Sequence, residues 1–276
     1  MATVGHGRRF LILWISASLI ATPLVAIFVG PHLPPGNASA QAQEQVFDNT
    51  WITSICTPVV LFVLIFFAYA LVNFRAPRGE AVVDGPPIRN DSRIQILWMI
   101  STSITVLFLA GFGTYELLQN GAGGGQGPSP VAVPIGHKIP VQVIGQQWEF
   151  TYRYPSFGGF ETHELVLPAG TDIALHVTSL DVVHGFWAYE LGVKADANPG
   201  VDNVAFVRTG APSIFHVRCA ELCGLWHGYM FNEGRVVSAS QFHTWVRQQQ
   251  ILYKPIAKYL PAFSKTYLPD PQERGG

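Results

Sequence analysis

The chain has little cysteine and little charge. Three of its 276 residues are cysteines, and charged residues make up 13% against 49% apolar. With no Cys-x-x-Cys-His segment, a fused c-type haem is not encoded. Lys and Arg number 17 against 18 Asp and Glu, so no charge excess speaks for nucleic acid or a polybasic membrane contact. No internal repeat is visible. So low a charge content, beside so many apolar residues, points away from an ordinary soluble protein.

The apolar excess is concentrated in three runs within the first 120 positions. The first, "RRFLILWISASLIATPLVAIFVG", has Arg8 and Arg9 ahead of an apolar stretch from about Phe10 to Val29. It reads either as a signal peptide, with a cleavable Ala38, Ser39, Ala40 triplet, or as a retained span. Pro31 to Gln45 reads as a linker in both cases. The second run covers Trp51 to Phe74 and the third about Ile94 to Leu118. Each is long enough to cross about 30 Å of hydrocarbon as a helix rising about 1.5 Å per residue. Neither has the polar face of a soluble core helix. Arg75, Arg78, Arg89 and Arg93 lie between them, which places that loop in the cytoplasm and the rest of the chain across the membrane.

After Leu118, "QNGAGGGQGPSPVAVP" breaks the helix. The period then changes to short β-branched and aromatic runs: "KIPVQVIGQQWEFTYRY", "HELVLPAG", "DIALHVTS", "NVAFVR", "SIFHVRC" and "EGRVVS". Such spacing predicts a small antiparallel sandwich or barrel. "QFHTWVRQQQI" predicts a helix, and the Pro-rich tail after Lys254 reads as extended. The expected organisation is therefore residues 1–45 as signal peptide or extra transmembrane helix with linker, 46–120 as a transmembrane hairpin, 121–130 as linker, 131–246 as an extracytoplasmic β domain and 247–276 as a tail.

Two of the three cysteines fall in "VRCAELCGLWHGYMFNEG", between the strands "SIFHVR" and "GRVVS". Cys219, Cys223, His227 and Met230 offer two thiolates, an imidazole and a thioether from one loop, a soft donor set that favours copper over Mg or Ca. His184 of "SLDVVHGFW" is the best upstream donor. A Cys219–Cys223 disulfide would leave Met230 and both histidines unexplained. A structural zinc site has little use for the thioether, and mononuclear blue copper has none for a second cysteine. Two copper ions bridged by both thiolates, each capped by one histidine, with Met230 and a backbone carbonyl as weak axial ligands, use every donor. Such a centre passes electrons and has no open position for a substrate. Cys56, inside a span, reads as apolar filler. His163, His176 and His216 read as strand residues without a metal role.

"CAELCGLWHGYM" resembles the dinuclear copper loop of subunit II of the haem-copper cytochrome c oxidases, Cys-x-Glu-x-Cys-Gly-x-x-His-x-x-Met, with six fixed positions in twelve residues. The two-helix hairpin, "GQQWEFTYRY" and "DVVHGFW" extend the resemblance over about residues 46–245. It implies an α+β membrane protein with a cupredoxin-like domain. It implies His184, Cys219, Cys223, His227 and Met230 as copper ligands, with the main-chain oxygen of Glu221. It also implies a magnesium reached by the Glu221 carboxylate at the subunit I contact, and Trp148 as an exposed residue that receives electrons from cytochrome c. The implied partners are oxidase subunits I and III, cytochrome c or another small donor, and membrane lipid. The implied location is the inner (plasma) membrane with the copper domain outside. The chain departs from the family pattern where Glu149 and Phe150 replace two aromatics, and where Gln95 stands in place of a glutamate leading to a proton path. "HGF" is similar to the B-type branch, in which a single-helix anchor is usual. A quinol oxidase subunit would lack the cysteines, and nitrous oxide reductase joins the loop to a propeller too large for this chain.

Overall fold

The structure is a computed structural model that describes residues 3–75, 79, 91–119 and 139–253. The expected linker at 121–130, the tail from 254 and Arg78 and Arg89 of the hairpin loop lie outside the described residues. Two compact units are present, Met1–Leu33 with Phe47–Tyr115 and Pro34–Val46 with Glu116–Gly276.

The first unit is helical. Helix α1 (Thr3–Leu24) runs through a π turn and a short 3-10 turn, α2 covers Ala40–Asn73 and α3 covers Ser92–Gln119. All three are long and apolar enough to cross a membrane. Their large apolar side chains point outward, as at Leu19 (72% exposed), Val72 (75%) and Leu107 (73%); in water this would be unfavourable, whereas in lipid it is the expected arrangement. Helices α1 and α2 meet through aromatic edges, with Phe10 against Phe62 at 5.2 Å and Phe66 at 5.8 Å. The Trp14 indole N–H donates to the Pro58 carbonyl at 2.7 Å. Asp91 caps α3 by accepting the Arg93 N–H at 2.9 Å.

The second unit is a sandwich of two five-stranded sheets. Its strands are β1 (Ile139–Gln146), β2 (Glu149–Tyr154), β3 (Phe160–Thr162), β4 (Leu165–Pro168), β5 (Asp172–Ser179), β6 (His184–Ala188), β7 (Val193–Ala197), β8 (Asn203–Arg208), β9 (Ser213–Cys219) and β10 (Phe231–Val237). One sheet has the order β3-β2-β1-β5-β8, the other β4-β10-β9-β6-β7. Most neighbours are antiparallel, but β1 pairs parallel with β5 and β10 parallel with β4. Each parallel pair joins strands distant in sequence, since parallel neighbours cannot be joined by a tight hairpin. Three strands are not evident from the sequence. β3 has three residues, β6 opens on His-Gly, and β7 ("VKADA") follows its valine with Lys, Ala and Asp, which strands disfavour.

Alternation fills the space between the sheets. Val141 and Val143, Phe150, Tyr152 and Tyr154, Ile173, Leu175 and Val177, Phe186, and Phe215 and Val217 all belong to one core cluster. Helix α4 (Ala239–Tyr253) packs along one edge of the sandwich, against β3 and β4. It begins with a capping box in which the Gln241 side chain accepts the Ser238 N–H at 3.1 Å and Ser238 Oγ accepts the Gln241 N–H at 3.4 Å. Phe242, Trp245 and Val246 bury its apolar face, with Trp245 edge-on to Tyr154 at 5.1 Å.

The stretch read as a linker departs from expectation, because residues 34–46 pack as part of the β unit. Ser39 forms a bridge to Thr209. The Ala38 N–H donates to the Glu190 carbonyl at 2.9 Å, and the Gly210 N–H donates to that of Ala38 at 2.8 Å. The Ser39 hydroxyl donates to the Leu191 carbonyl and caps α2 at the Ala42 N–H. Ala38, Ser39 and Ala42 are fully buried. Small side chains and one cap residue let the strap lie flat, a fit that composition alone does not reveal.

Candidate metal centre

Cys219 ends β9 and Met230 precedes β10, so the cysteine loop hangs between two antiparallel neighbours. The Cys219 N–H donates to the Met230 carbonyl at 3.0 Å and closes the neck of the loop. Within it a 3-10 turn, His227–Tyr229, follows the hydrogen bond from the His227 N–H to the Gly224 carbonyl at 3.2 Å. That turn brings His227 and Met230 back toward Cys223. His184 is the first residue of β6. β6 pairs with β9 so that Phe186 faces Cys219. Gly185 is required there, since a Cβ would sit 2.9 Å from the Glu221 nitrogen.

The donors predicted from the sequence converge. Cys219 Sγ lies 3.7 Å from Cys223 Sγ, 3.9 Å from His184 Nδ1 and 3.2 Å from the Glu221 carbonyl oxygen. Cys223 Sγ lies 3.5 Å from His227 Nδ1 and 3.8 Å from Met230 Sδ. Both cysteines are free, at nearly twice the S–S bond length of about 2.05 Å. His184, Cys219 and Cys223 each present a donor atom within 4.8 Å of the others, a group that could hold a metal ion. Met230 and His184 are buried, whereas His227 is half-buried. Buried soft donors facing one another, with no cationic side chain among them, fit a soft metal.

Burial alone would raise the Cys219 thiol. Hydrogen bonds involving His184, the Gly185 and Glu221 backbone and His227 outweigh it and bring the thiol down to about 6. Burial and the neighbouring Cys219 sulfur push Cys223 up to about 12. The two thiols titrate as a pair, with one proton lost easily and the second held by the charge the first leaves behind. A cation between them removes that repulsion, since thiolates are what a soft metal binds.

Trp148 lies in the turn between β1 and β2, directly before Glu149, and is half-buried, packed against the core. Its indole N–H donates to the Cys223 carbonyl at 3.1 Å, and the Gln147 amide donates to the same oxygen at 2.8 Å. Gly224 must be glycine, because its φ is +112° and a Cβ would lie 2.9 Å from Gln147 Nε2.

The sequence reading passed over two contributors, Gln147 and Asp181. The Asp181 carboxylate accepts from His184 Nε2 at 2.9 Å and from the Gln147 backbone N–H at 2.7 Å. Burial would raise its carboxyl, but hydrogen bonds from His184, Gln147 and Val182 hold it below the usual range. Burial would likewise lower His184, and its bonds to Cys219 and Asp181 raise it instead. An acid three residues before a candidate ligand was the available signal. His163, His176 and His216 are apart from the centre, paired with Glu149, Asp202 and Glu190 respectively.

Known proteins resemble this chain in sequence. Residues 160–237 match the family model for cytochrome c oxidase subunit II, periplasmic domain. A cytochrome c oxidase subunit 2 from Thermostichus vulcanus is 28% identical over 287 residues, covering 87% of this chain and 86% of that protein. One from Synechocystis sp. is 27% identical over 266 residues, covering 82% and 79%. The crystal structure of the periplasmic domain of subunit II of cytochrome oxidase (CoxB) of Bradyrhizobium japonicum is 31% identical, covering 44% of this chain and 99% of that one, with a TM-score of 0.42. With its apolar helices, two-sheet sandwich and thiol-bearing loop, the chain belongs to the cytochrome c oxidase subunit II family.

Proposed function

We propose that this chain is the electron-transfer subunit of a terminal respiratory oxidase, receiving electrons from cytochrome c and delivering them to the haem-copper site of subunit I, where oxygen is reduced and protons are moved. The observation that carries this reading is the convergence of His184, Cys219, Cys223, His227, Met230 and the Glu221 carbonyl, with both thiols between the two imidazoles. These residues would hold two copper ions, which supply one-electron exchange. The protein's own part is to fix the donors on stiff strands, so that little rearrangement accompanies each transfer. Trp148, bonded to the Cys223 carbonyl, is the residue through which electrons arrive. The Glu221 carboxylate is the proposed magnesium ligand at the subunit I contact. Metal analysis of the full chain in detergent tests the reading. Two coppers with near-infrared absorption and a mixed-valence paramagnetic signal are expected. One zinc per chain, held by His184, Cys219 and Cys223, would replace it with the structural-zinc alternative, which the mutual approach of those three donors also suits.

The proposed location is the plasma membrane, with the loop after α2 in the cytoplasm, the copper domain outside, and subunits I and III as neighbours. Arg8 and Arg9 in the first turns of α1, ahead of its apolar stretch, and Arg75 and Arg93 around that loop support this orientation. In intact cells a cysteine probe at Gly85 should be protected and one at Gly124 labelled. We further propose that α1 is retained, since cutting after Ala40 would detach the Ser39 cap and the Ala38 hydrogen bonds from the β unit. Mass spectrometry of the mature chain decides this, and a start at Gln41 would overturn it.

A further inference from the structure

The two histidines of the centre have different surroundings. His227 is half-buried with Nδ1 toward Cys223, and among the described residues no carboxylate bonds to its ring. The His184 ring is fully buried and fixed on every side. Its Nδ1 faces Cys219 Sγ, its Nε2 meets Asp181 Oδ1, Phe150 stands edge-on at 6.2 Å, and Gly145 approaches so closely that a Cβ there would lie 3.0 Å from Cδ2. Asp181 is fixed in turn by the Val182 and Gln147 backbone N–H groups and the Ser179 hydroxyl.

Resting on the copper reading above, we propose that Asp181 is a positioning residue that holds His184 as the Nε2–H tautomer with Nδ1 free for copper, and that its charge sets the reduction potential of the His184 side of the centre. A carboxylate on the distal N–H of a ligating imidazole fixes the tautomer and makes the ring a stronger donor. Stronger donation and nearby negative charge both favour the more positive, oxidised centre, so removing the charge raises the midpoint. Asp181 Oδ2 also accepts the Gln147 N–H, one residue before Trp148. The carboxylate therefore ties the electron-receiving turn to the ligand it serves.

The test is a redox titration of the copper-loaded full chain in detergent. Asp181→Asn keeps an oxygen for the His184 N–H and removes the charge. It should keep two coppers while changing the equilibrium constant with a fixed one-electron partner by about tenfold, the lower end of outer-shell effects and ~59 mV for one electron, with an altered copper hyperfine pattern. Glu233→Gln, which removes a charge from β10 and leaves His184 untouched, should shift that constant less than about twofold. An unchanged midpoint in Asp181→Asn, or an equal shift in Glu233→Gln, overturns the proposal. If Asp181→Asn takes up no copper, nitrogen-15 resonances of histidine in the metal-free parent chain decide. An Nε2–H tautomer at His184 upholds the proposal and Nδ1–H overturns it. Failure of the parent to bind two coppers would instead count against the copper reading itself.

Discussion

The loop from Cys219 to Met230 and the upstream pieces at 147–148 and 181–184 contribute differently to one centre. The loop supplies both sulfurs, the thioether, a histidine and a carbonyl within twelve consecutive residues, and its hydrogen bonds are largely local. The upstream pieces supply one donor, His184, and a frame: a carboxylate on its far nitrogen and two N–H groups on the Cys223 carbonyl. Donor identity is thus concentrated in sequence, whereas orientation is assembled from strands far apart in it. The loop should therefore govern whether metal binds, and the frame how well the bound metal works.

The sharpest way to break that division is Cys219→Ser. One thiolate facing both imidazoles is lost, and the chain should lose copper and its near-infrared band altogether, as metal analysis would read directly. Met230→Leu should keep both coppers and change mainly the potential, since a thioether is a weak ligand. On the frame side, Trp148→Phe should leave copper content, fold and salt-dependent cytochrome binding intact. It should slow copper reduction by orders of magnitude in rapid mixing, because weak redox complexes depend on a close contact more than on tight binding. A rate within about twofold of the parent would mean that electrons arrive elsewhere, with Glu149 and Phe150 the first place to look.

Smaller effects probe how loop and frame are fastened. Gly224→Ala forces a side chain into φ +112° and against Gln147, and should lower stability by about 1–3 kcal/mol in chemical denaturation. Ser39→Ala removes the cap of α2 and should cost about 1 kcal/mol, a loss shared with no residue of the centre. The smallest change concerns acid. Burial would raise the Glu190 carboxyl, but bonds from the His216 backbone and ring hold it below its ordinary value. Ionised Glu190 therefore stabilises the fold above the unfolded carboxylate value of about 4.3, and this contribution is lost as the pH falls through the lower folded value. The melting temperature of Glu190→Gln should lie slightly below the parent at neutral pH and converge with it in acid.

Much of this centre is legible in the sequence because its donors are both rare and close together. Three cysteines leave little room for coincidence, and a loop bounded by two strands keeps near neighbours in sequence near in space. His184 was legible for a different reason, a histidine in "DVVHGFW" ahead of aromatic residues, although its place at the head of β6 was not. Asp181 and Gln147 stayed hidden because an acid and an amide in polar turns look like any other surface residues. Only pairing of β6 with β9 and the turn from β1 to β2 bring them to the ligand and to the Cys223 carbonyl.

The sequence by itself determined the three apolar spans, the change of period to strands after them, the donor set and the loop that carries most of it. Each follows from local chemistry: run length, alternation and the softness of sulfur. Tertiary structure alone decided that residues 34–46 belong to the β unit, that each sheet contains one parallel pair, that Trp148 touches the cysteine loop through a carbonyl, and that one histidine is backed by a carboxylate. These depend on register and on close approach at Gly185 and Gly224, where whether two backbones can meet is set by the packing of strands distant in the chain.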